Sequence, residues 1–220
     1  MSLTGGIGSA CNKVLVLIVR GLAILGVHPN TLTIIGLLIN IGAAAALAAG
    51  RFRVAGLVIL GAAIFDTLDG RVARATGQVS RFGAFFDSVI DRYSDLSLLI
   101  GLLVYYASIN RGFYIVLTAV AMMATVLVSY TRARSENVIP KCKVGFMERP
   151  ERIVLLIIGA LFNRMAPVLW VIAVLGNLTV IHRMLHTWKE TRKMEAAETA
   201  PVAESAKAPA AVGRQQSAAT

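Results

Sequence analysis

The chain has 220 residues, of which 56% are hydrophobic and only 15% charged, with a mean hydropathy of +0.70. That balance exceeds what a soluble globule carries and indicates a membrane protein whose apolar surface is covered largely by lipid. The net charge of +10 does not indicate nucleic acid, because the basic residues flank apolar runs and form no aromatic-studded face; anionic lipid head groups and phosphorylated substrates are the expected partners.

Residues 7–27 are apolar yet carry Asn12, Lys13 and Arg20, the pattern of a juxtamembrane amphipathic helix lying in the interface. No signal-peptide cleavage pattern accompanies it, so it is expected to stay in the mature protein. His28-Pro29-Asn30 breaks that helix and caps the next. A first crossing is expected over 31–50, about the ~20 residues a bilayer needs. Arg51 and Arg53 mark a turn, a second crossing runs over 54–75, and a polar link at 77–81 leads to a third over 82–108. Asn110-Arg111-Gly112 turns the chain into a fourth crossing over 113–132, followed by the longest polar loop. The fifth crossing is short: 153–162 spans a membrane only if 148–152 joins the same helix and faces a wet cavity. Asn163-Arg164 precedes a sixth over 166–183. From Met194 the tail is poor in large apolar residues and is expected to be disordered. The predicted organisation is all-α, with a juxtamembrane helix over 1–28, a six-helix transmembrane domain over 29–193 and a cytoplasmic tail over 194–220.

Cys11 and Cys142 lie in no CxxC and predict neither a disulfide framework nor a thiolate metal site. His182 and His186, where the sixth helix leaves the membrane, read as interfacial residues. The Gly/Ala-rich stretch over 42–50 reads as close helix packing, and the methionines as core filler. Six crossings place both termini on one side. Arg51, Arg53, Arg111 and Arg164 fall at the turns of one face and all other Lys and Arg on the opposite face or its tail, which is therefore cytoplasmic. Asp66, Asp87 and the arginines of the later helices belong to that cytoplasmic face.

Every aspartate falls between Asp66 and Asp95, on two helices that otherwise read as membrane-spanning. A carboxylate at bilayer depth is costly, so several in one place need a compensating charge. Asp66, Asp69, Gly70, Ala73 and Arg74 recur at three and four residues and share a helix face; Gly83, Asp87, Asp91 and Asp95 recur every four on the next. Taken alone, Asp95 reads as a helix–helix pairing carboxylate. Carboxylates without histidine or cysteine suit a hard divalent cation, Mg²⁺ or Mn²⁺, and three or four of them have the ligand number for two ions. Two such ions clamp a pyrophosphate. Gly70 and Ala73 remove bulk where a base or phosphate approaches, and Arg74 supplies a planar donor fork.

The line Asp66-x2-Asp69-Gly70-x2-Ala73-Arg74-x8-Gly83-x3-Asp87-x3-Asp91 resembles the signature of the CDP-alcohol phosphotransferases at all eight fixed positions. The resemblance extends from Pro29 to Arg183. It implies a six-helix fold, a homodimer, and displacement of CMP from a CDP-linked lipid such as CDP-diacylglycerol by an alcohol. It further implies that Asp66, Asp69 and Asp87 hold the ions, with Asp91 near them as the base, and that Asp69, Gly70, Ala73 and Arg74, joined by Asn30, Thr33 and Gly83, hold the cytidine diphosphate.

The acceptor is read from Arg132, Arg134, Arg149, Arg152 and Arg183, which can bind a phosphate bidentately if they face a wet cavity; singly, each also reads as an ordinary flank charge. Ser129-Tyr130-Thr131-Arg132-Ala133-Arg134 followed by Glu148-Arg149-Pro150-Glu151-Arg152 resembles the branch that makes phosphatidylinositol phosphate, or its archaeal ether-lipid counterpart, from inositol 1-phosphate. The resemblance implies that Arg132, Arg152 and Arg183 hold the acceptor phosphate; arginine at the first of these, where lysine is commoner, is a mild departure. The alternatives are the same chemistry on glycerol 3-phosphate or serine, the latter leaving the arginines without a task, and a divalent-cation transporter. A transporter calls for polar groups across the full thickness and repeated halves, neither of which the sequence has.

Overall fold

The computed structural model describes residues 28–205, with six helices: α1 (Pro29–Ala48), α2 (Phe52–Ala75), α3 (Arg81–Ser108), α4 (Gly112–Ser135), α5 (Arg149–Leu161) and α6 (Met165–Ser205). The expected juxtamembrane helix over 1–27 and residues 206–220 lie outside the described residues, as do the side chains of Asp69 and of 198–205.

Local chemistry sets the helix ends. His28 accepts at Nδ1 from the Asn30 N–H (3.2 Å) with Pro29 at the first helical position, so α1 starts where the sequence places its cap. Ser80 caps α3 by accepting from the Gly83 N–H at 2.9 Å. Glu151 reaches back to the Glu148 N–H at 3.0 Å, which starts α5 at Arg149. Three turns share one device. Gly50, Asn110 and Asn163 adopt positive φ (70°, 53° and 56°), and the arginine after each donates its N–H five residues back, Arg51 to Ala46, Arg111 to Tyr106 and Arg164 to Gly159. This left-handed closure satisfies the last helical carbonyls.

Each helix packs against two others, closing a ring in the order α1, α2, α5, α6, α4, α3. At the end holding these turns, Phe52, Tyr105, Tyr106 and Tyr114 form a chain of aromatic contacts, with ring centroids 4.7–5.3 Å apart. In mid-bundle Ala43, Ala44, Leu47, Leu98, Leu99 and Leu102 fill the α1–α3 seam. Gly101 makes that seam possible, since a Cβ there would collide with the Ala44 backbone carbonyl. The close packing expected of the Gly/Ala-rich segment is thus present. Gly101→Ala is expected to force α1 from α3 at a cost on the order of 1–3 kcal/mol, lowering the apparent Tm of the protein in detergent by several degrees; an unchanged Tm would show that the seam has slack.

Stripes of exposed apolar side chains, such as Ile34, Leu38 and Ile41 on α1 and Val116, Val120 and Met123 on α4, face away from the bundle. Such stripes on a helix need lipid or a partner over them. Among the described residues α1, α4 and the Met165–Ala197 portion of α6 are long and apolar enough to cross a membrane. α2 and α3 have the length but carry the aspartates. α5 has 13 residues and is about 20 Å long, against a hydrocarbon thickness of about 30 Å; it takes in residues 149–152, the inclusion its expected crossing needed.

The end of order expected at Met194 is corrected: α6 continues to Ser205. Residues 195–200 are Glu and Ala apart from Thr199, strong helix formers, and a helix already nucleated in a bundle propagates through them without burying an apolar face.

Candidate active site

The two acidic faces meet at the end of the bundle opposite the aromatic chain. Carboxylate oxygens of Asp66 on α2 and Asp87 and Asp91 on α3 all lie within 4.8 Å of one another. Three formal negative charges in so small a volume, with oxygen donors only, fit a hard divalent cation. Asp69 shares the helix with Asp66, but its side chain is outside the described residues. Arg149, at the start of α5, enters the cluster from the side. Its Nη1 lies 2.7 Å from Asp66 Oδ2, its Nη2 3.0 Å from Asp91 Oδ1 and its Nε 3.4 Å from Asp95 Oδ1. One turn further along, Arg152 Nη2 donates to Asp95 Oδ2 at 2.6 Å, and both side chains are about 5% exposed or less. Asp95 thus pairs helices, as its isolated reading suggested, and its partners are two of the candidate acceptor arginines.

Three cavities converge on the three aspartates. The first, of about 260 Å³, is lined by Asn30 and Thr33 of α1, Gly70, Ala73 and Arg74 of α2, and Gly83 and Asp87 of α3, which brings together the residues expected to hold the nucleotide other than Asp69. A Cβ on Gly83 would press on Ser80 Oγ at 3.0 Å and approach Asn30 Oδ1 at 3.6 Å, while the Arg74 guanidinium folds over the bare face of Gly70.

The second cavity, of about 220 Å³, is lined by Asp91, Asp95, Ser129, Arg132, Glu148, Arg149, Arg152 and Arg183, among others. Four of the five candidate acceptor arginines come together here. Arg134 does not: it is exposed at the end of α4 and outside this lining, because two residues along a helix turn a side chain to another face. Arg152 keeps Nε and Nη1 buried without a hydrogen-bond partner. Arg183, 1% exposed, is more committed, donating from Nε to the Val144 carbonyl (2.8 Å), from Nη1 to the Val128 carbonyl (2.5 Å) and from Nη2 to Glu148 Oε1 (2.9 Å).

The third cavity, about 350 Å³, runs between α2 and α5 from Asp66 and Arg149 along Ile59, Leu60, Ile153, Val154 and Ile157. It is a mostly apolar groove with a charged head.

Sequence reading assigned no role to Glu148. Its Oε1 accepts from Arg132 Nη1 at 3.0 Å and from Arg183 Nη2 at 2.9 Å, so one carboxylate gathers arginines from α4 and α6. Its place depends on the preceding loop. Thr179 Oγ1 on α6 accepts from the Phe146 and Met147 N–H groups, both at 3.1 Å, and Gly145 at φ 127° passes where a side chain would strike the Thr179 methyl. The acid's position within an arginine-rich run was the available signal.

A membrane helical bundle with a carboxylate cluster between a nucleotide-sized cavity and an arginine-lined one has the layout of a transferase for phosphate-bearing groups. The chain belongs to the CDP-alcohol phosphatidyltransferase family, whose sequence profile matches residues 26–199. It is 39% identical over 171 residues to the archaetidylinositol phosphate synthase of Pyrococcus horikoshii, covering 77% of this chain and 88% of that one. Among solved structures, it resembles the phosphatidylinositol phosphate synthase of Mycobacterium tuberculosis with CDP-DAG bound, with a TM-score of 0.75 and 29% identity over 80% of this chain and 94% of that one. The same mycobacterial enzyme in complex with manganese and citrate matches with a TM-score of 0.73 and 30% identity, over 79% and 88% of the two chains.

Proposed function

We propose that the protein transfers a phosphatidyl group, or its ether-lipid equivalent, from a CDP-linked lipid to the hydroxyl of inositol 1-phosphate, giving the phosphoinositide lipid and CMP. The observation that carries this reading is the convergence of three cavities of different chemistry on three neighbouring carboxylates. Asp87 lines the nucleotide-sized cavity, Asp91 the arginine-lined one and Asp66 the apolar groove. The donor has a nucleotide, a diphosphate and acyl chains; the acceptor has a phosphate. Each finds one matching wall.

In this mechanism Asn30, Thr33, Gly70, Ala73, Arg74 and Gly83 receive the cytidine diphosphate, and the α2–α5 groove takes an acyl chain. Asp66, Asp69, Asp87 and Asp91 would hold two Mg²⁺ or Mn²⁺ ions; when bound, these neutralise the diphosphate and make CMP a better leaving group. The mycobacterial relatives with CDP-DAG and with manganese support both assignments. Arg132, Arg149, Arg152 and Arg183 orient the acceptor by its phosphate, with Arg134 no longer in the set. Asp91 takes the proton of the acceptor hydroxyl as its oxygen bonds to the lipid-bearing phosphorus and the bond from that phosphorus to CMP breaks. Six crossings, the third and fifth helices included, a cytoplasmic site with both termini on that side of the cytoplasmic membrane, and a homodimer complete the proposal; the arginine distribution supports the orientation.

The test is CMP release by the purified protein in detergent with CDP-diacylglycerol and Mg²⁺ or Mn²⁺, offering inositol 1-phosphate, inositol, glycerol 3-phosphate and serine separately. Release with inositol 1-phosphate alone is expected, and loss of that release with EDTA. Release with glycerol 3-phosphate would reassign the arginine cavity, and cation flux without CMP release would replace the enzyme by a transporter.

A further inference from the structure

Arg149 belongs to both halves of the site, lining the apolar groove at Asp66 and the arginine cavity at Asp91. Each of its three guanidinium nitrogens faces a carboxylate, Nη1 on Asp66, Nη2 on Asp91 and Nε on Asp95. Asp95 has a second partner in Arg152 and sits outside the three-carboxylate cluster. Asp66 and Asp91 are different, because the lone pairs that accept from Arg149 are those a cation needs. Arg149 and a divalent ion therefore compete for the same two side chains. Beside this bridge, Arg152 holds Nε and Nη1 buried and unpartnered in the same cavity. Buried charged donors left without acceptors carry a desolvation penalty that an incoming anion relieves.

The geometry points to Arg149 as a positioning residue that couples metal loading to acceptor binding. Ions that take the oxygens of Asp66 and Asp91 release the Nη groups of Arg149 while its Nε stays anchored at Asp95. The freed fork then shares a cavity with the open donors of Arg152, and together they form a clamp for the acceptor phosphate. The reciprocal holds by linkage: an acceptor phosphate that draws Arg149 away from Asp66 and Asp91 strengthens metal binding by the same factor. The chemistry favours one order, in which the acceptor is clamped only beside a loaded carboxylate cluster. This inference rests on reading the arginine cavity as the acceptor site.

The experiment measures Mn²⁺ binding to the full chain in detergent from the EPR signal of free Mn²⁺, calibrated in each buffer, with and without inositol 1-phosphate, glycerol 3-phosphate or inorganic phosphate. In the parent, inositol 1-phosphate is expected to tighten Mn²⁺ binding about tenfold, within the usual range of coupling between sites. In Arg149→Ala, Mn²⁺ alone binds more tightly than in the parent and the acceptor effect shrinks to plain charge attraction. Arg149→Lys separates competition from Coulomb repulsion, because it keeps the charge but a lysine ammonium lacks the fork that spans two carboxylates. It is expected to lose the coupling as Arg149→Ala does. Mn²⁺ affinity in the parent that no phosphorylated ligand changes, or coupling that survives in Arg149→Lys, would overturn the inference. Coupling to glycerol 3-phosphate but not to inositol 1-phosphate would uphold Arg149 and overturn the acceptor assignment, which CMP release judges independently.

Discussion

Asp91→Asn is expected to lower CMP release by about a thousandfold while CDP-lipid binding persists, within the ~10²–10⁴ that positioned proton transfer contributes. Asp91 has the position for the task. Its side chain is 15% exposed, it lines the arginine cavity, and its carboxylate is within 4.8 Å of those of Asp66 and Asp87. A base must stand between the acceptor, which brings the proton, and the diphosphate, which receives the oxygen; no other aspartate of the cluster lines the acceptor cavity. Asparagine preserves shape and one metal-ligating oxygen but cannot take the proton. Asp66→Asn is the comparison, since it removes charge from the cluster at a residue that does not itself line the arginine cavity, and it is expected to weaken Mn²⁺ and CDP-lipid binding along with turnover. The measurement is CMP release beside the thermal shift caused by CDP-lipid in both variants. Turnover by Asp91→Asn equal to that of the parent would remove Asp91 as the base.

The acidic half of the site was legible in the sequence because it follows helical periodicity. Spacings of three and four put Asp66, Gly70, Ala73 and Arg74 on one face and Gly83, Asp87 and Asp91 on another, and a hairpin between two helices brings such faces together wherever the chain finds lipid outside. The turns were legible too, since Gly50, Asn110 and Asn163 adopt the positive φ that glycine and asparagine tolerate. The basic half was less so. Whether an arginine faces acceptor, carboxylate or lipid head group depends on helix crossings and on the 136–148 loop, and periodicity encodes neither. Arg132 and Arg134 illustrate this, two residues apart with one lining the cavity and the other exposed. Arg149 and Arg152 share a helix face and a carboxylate partner, yet only Arg149 reaches the aspartates expected to hold metal. Glu148 carries the same sign of charge as a phosphate, so nothing in its type marks it as part of a phosphate site, although it positions two of the arginines there.

Arg152→Ala is expected to raise the acceptor KM on the order of a hundredfold with the donor KM little changed, since one or two hydrogen bonds to a charged group contribute ~1.5–3 kcal/mol each and a tenfold change is ~1.4 kcal/mol. The expectation follows from the side chain's division of labour. Nη2 is spent on Asp95 at 2.6 Å, which fixes the guanidinium plane, while Nε and Nη1 remain buried in the cavity without partners. Those two donors are the part an acceptor phosphate would complete. The same substitution leaves Asp95 buried with only the longer contact to Arg149, and breaking a buried ion pair costs ~3–5 kcal/mol, so a fall in Tm is expected alongside. The pair Asp95→Asn with Arg152→Met separates the two effects. Removing both charges restores much of the lost Tm, because no buried ion is left unpaired, but it does not restore the acceptor KM, because the phosphate still lacks its donors. An acceptor KM that recovered with Tm would mean that Arg152 acts only by holding α3 to α5, and the acceptor phosphate would then have to be held by Arg132, Arg149 and Arg183.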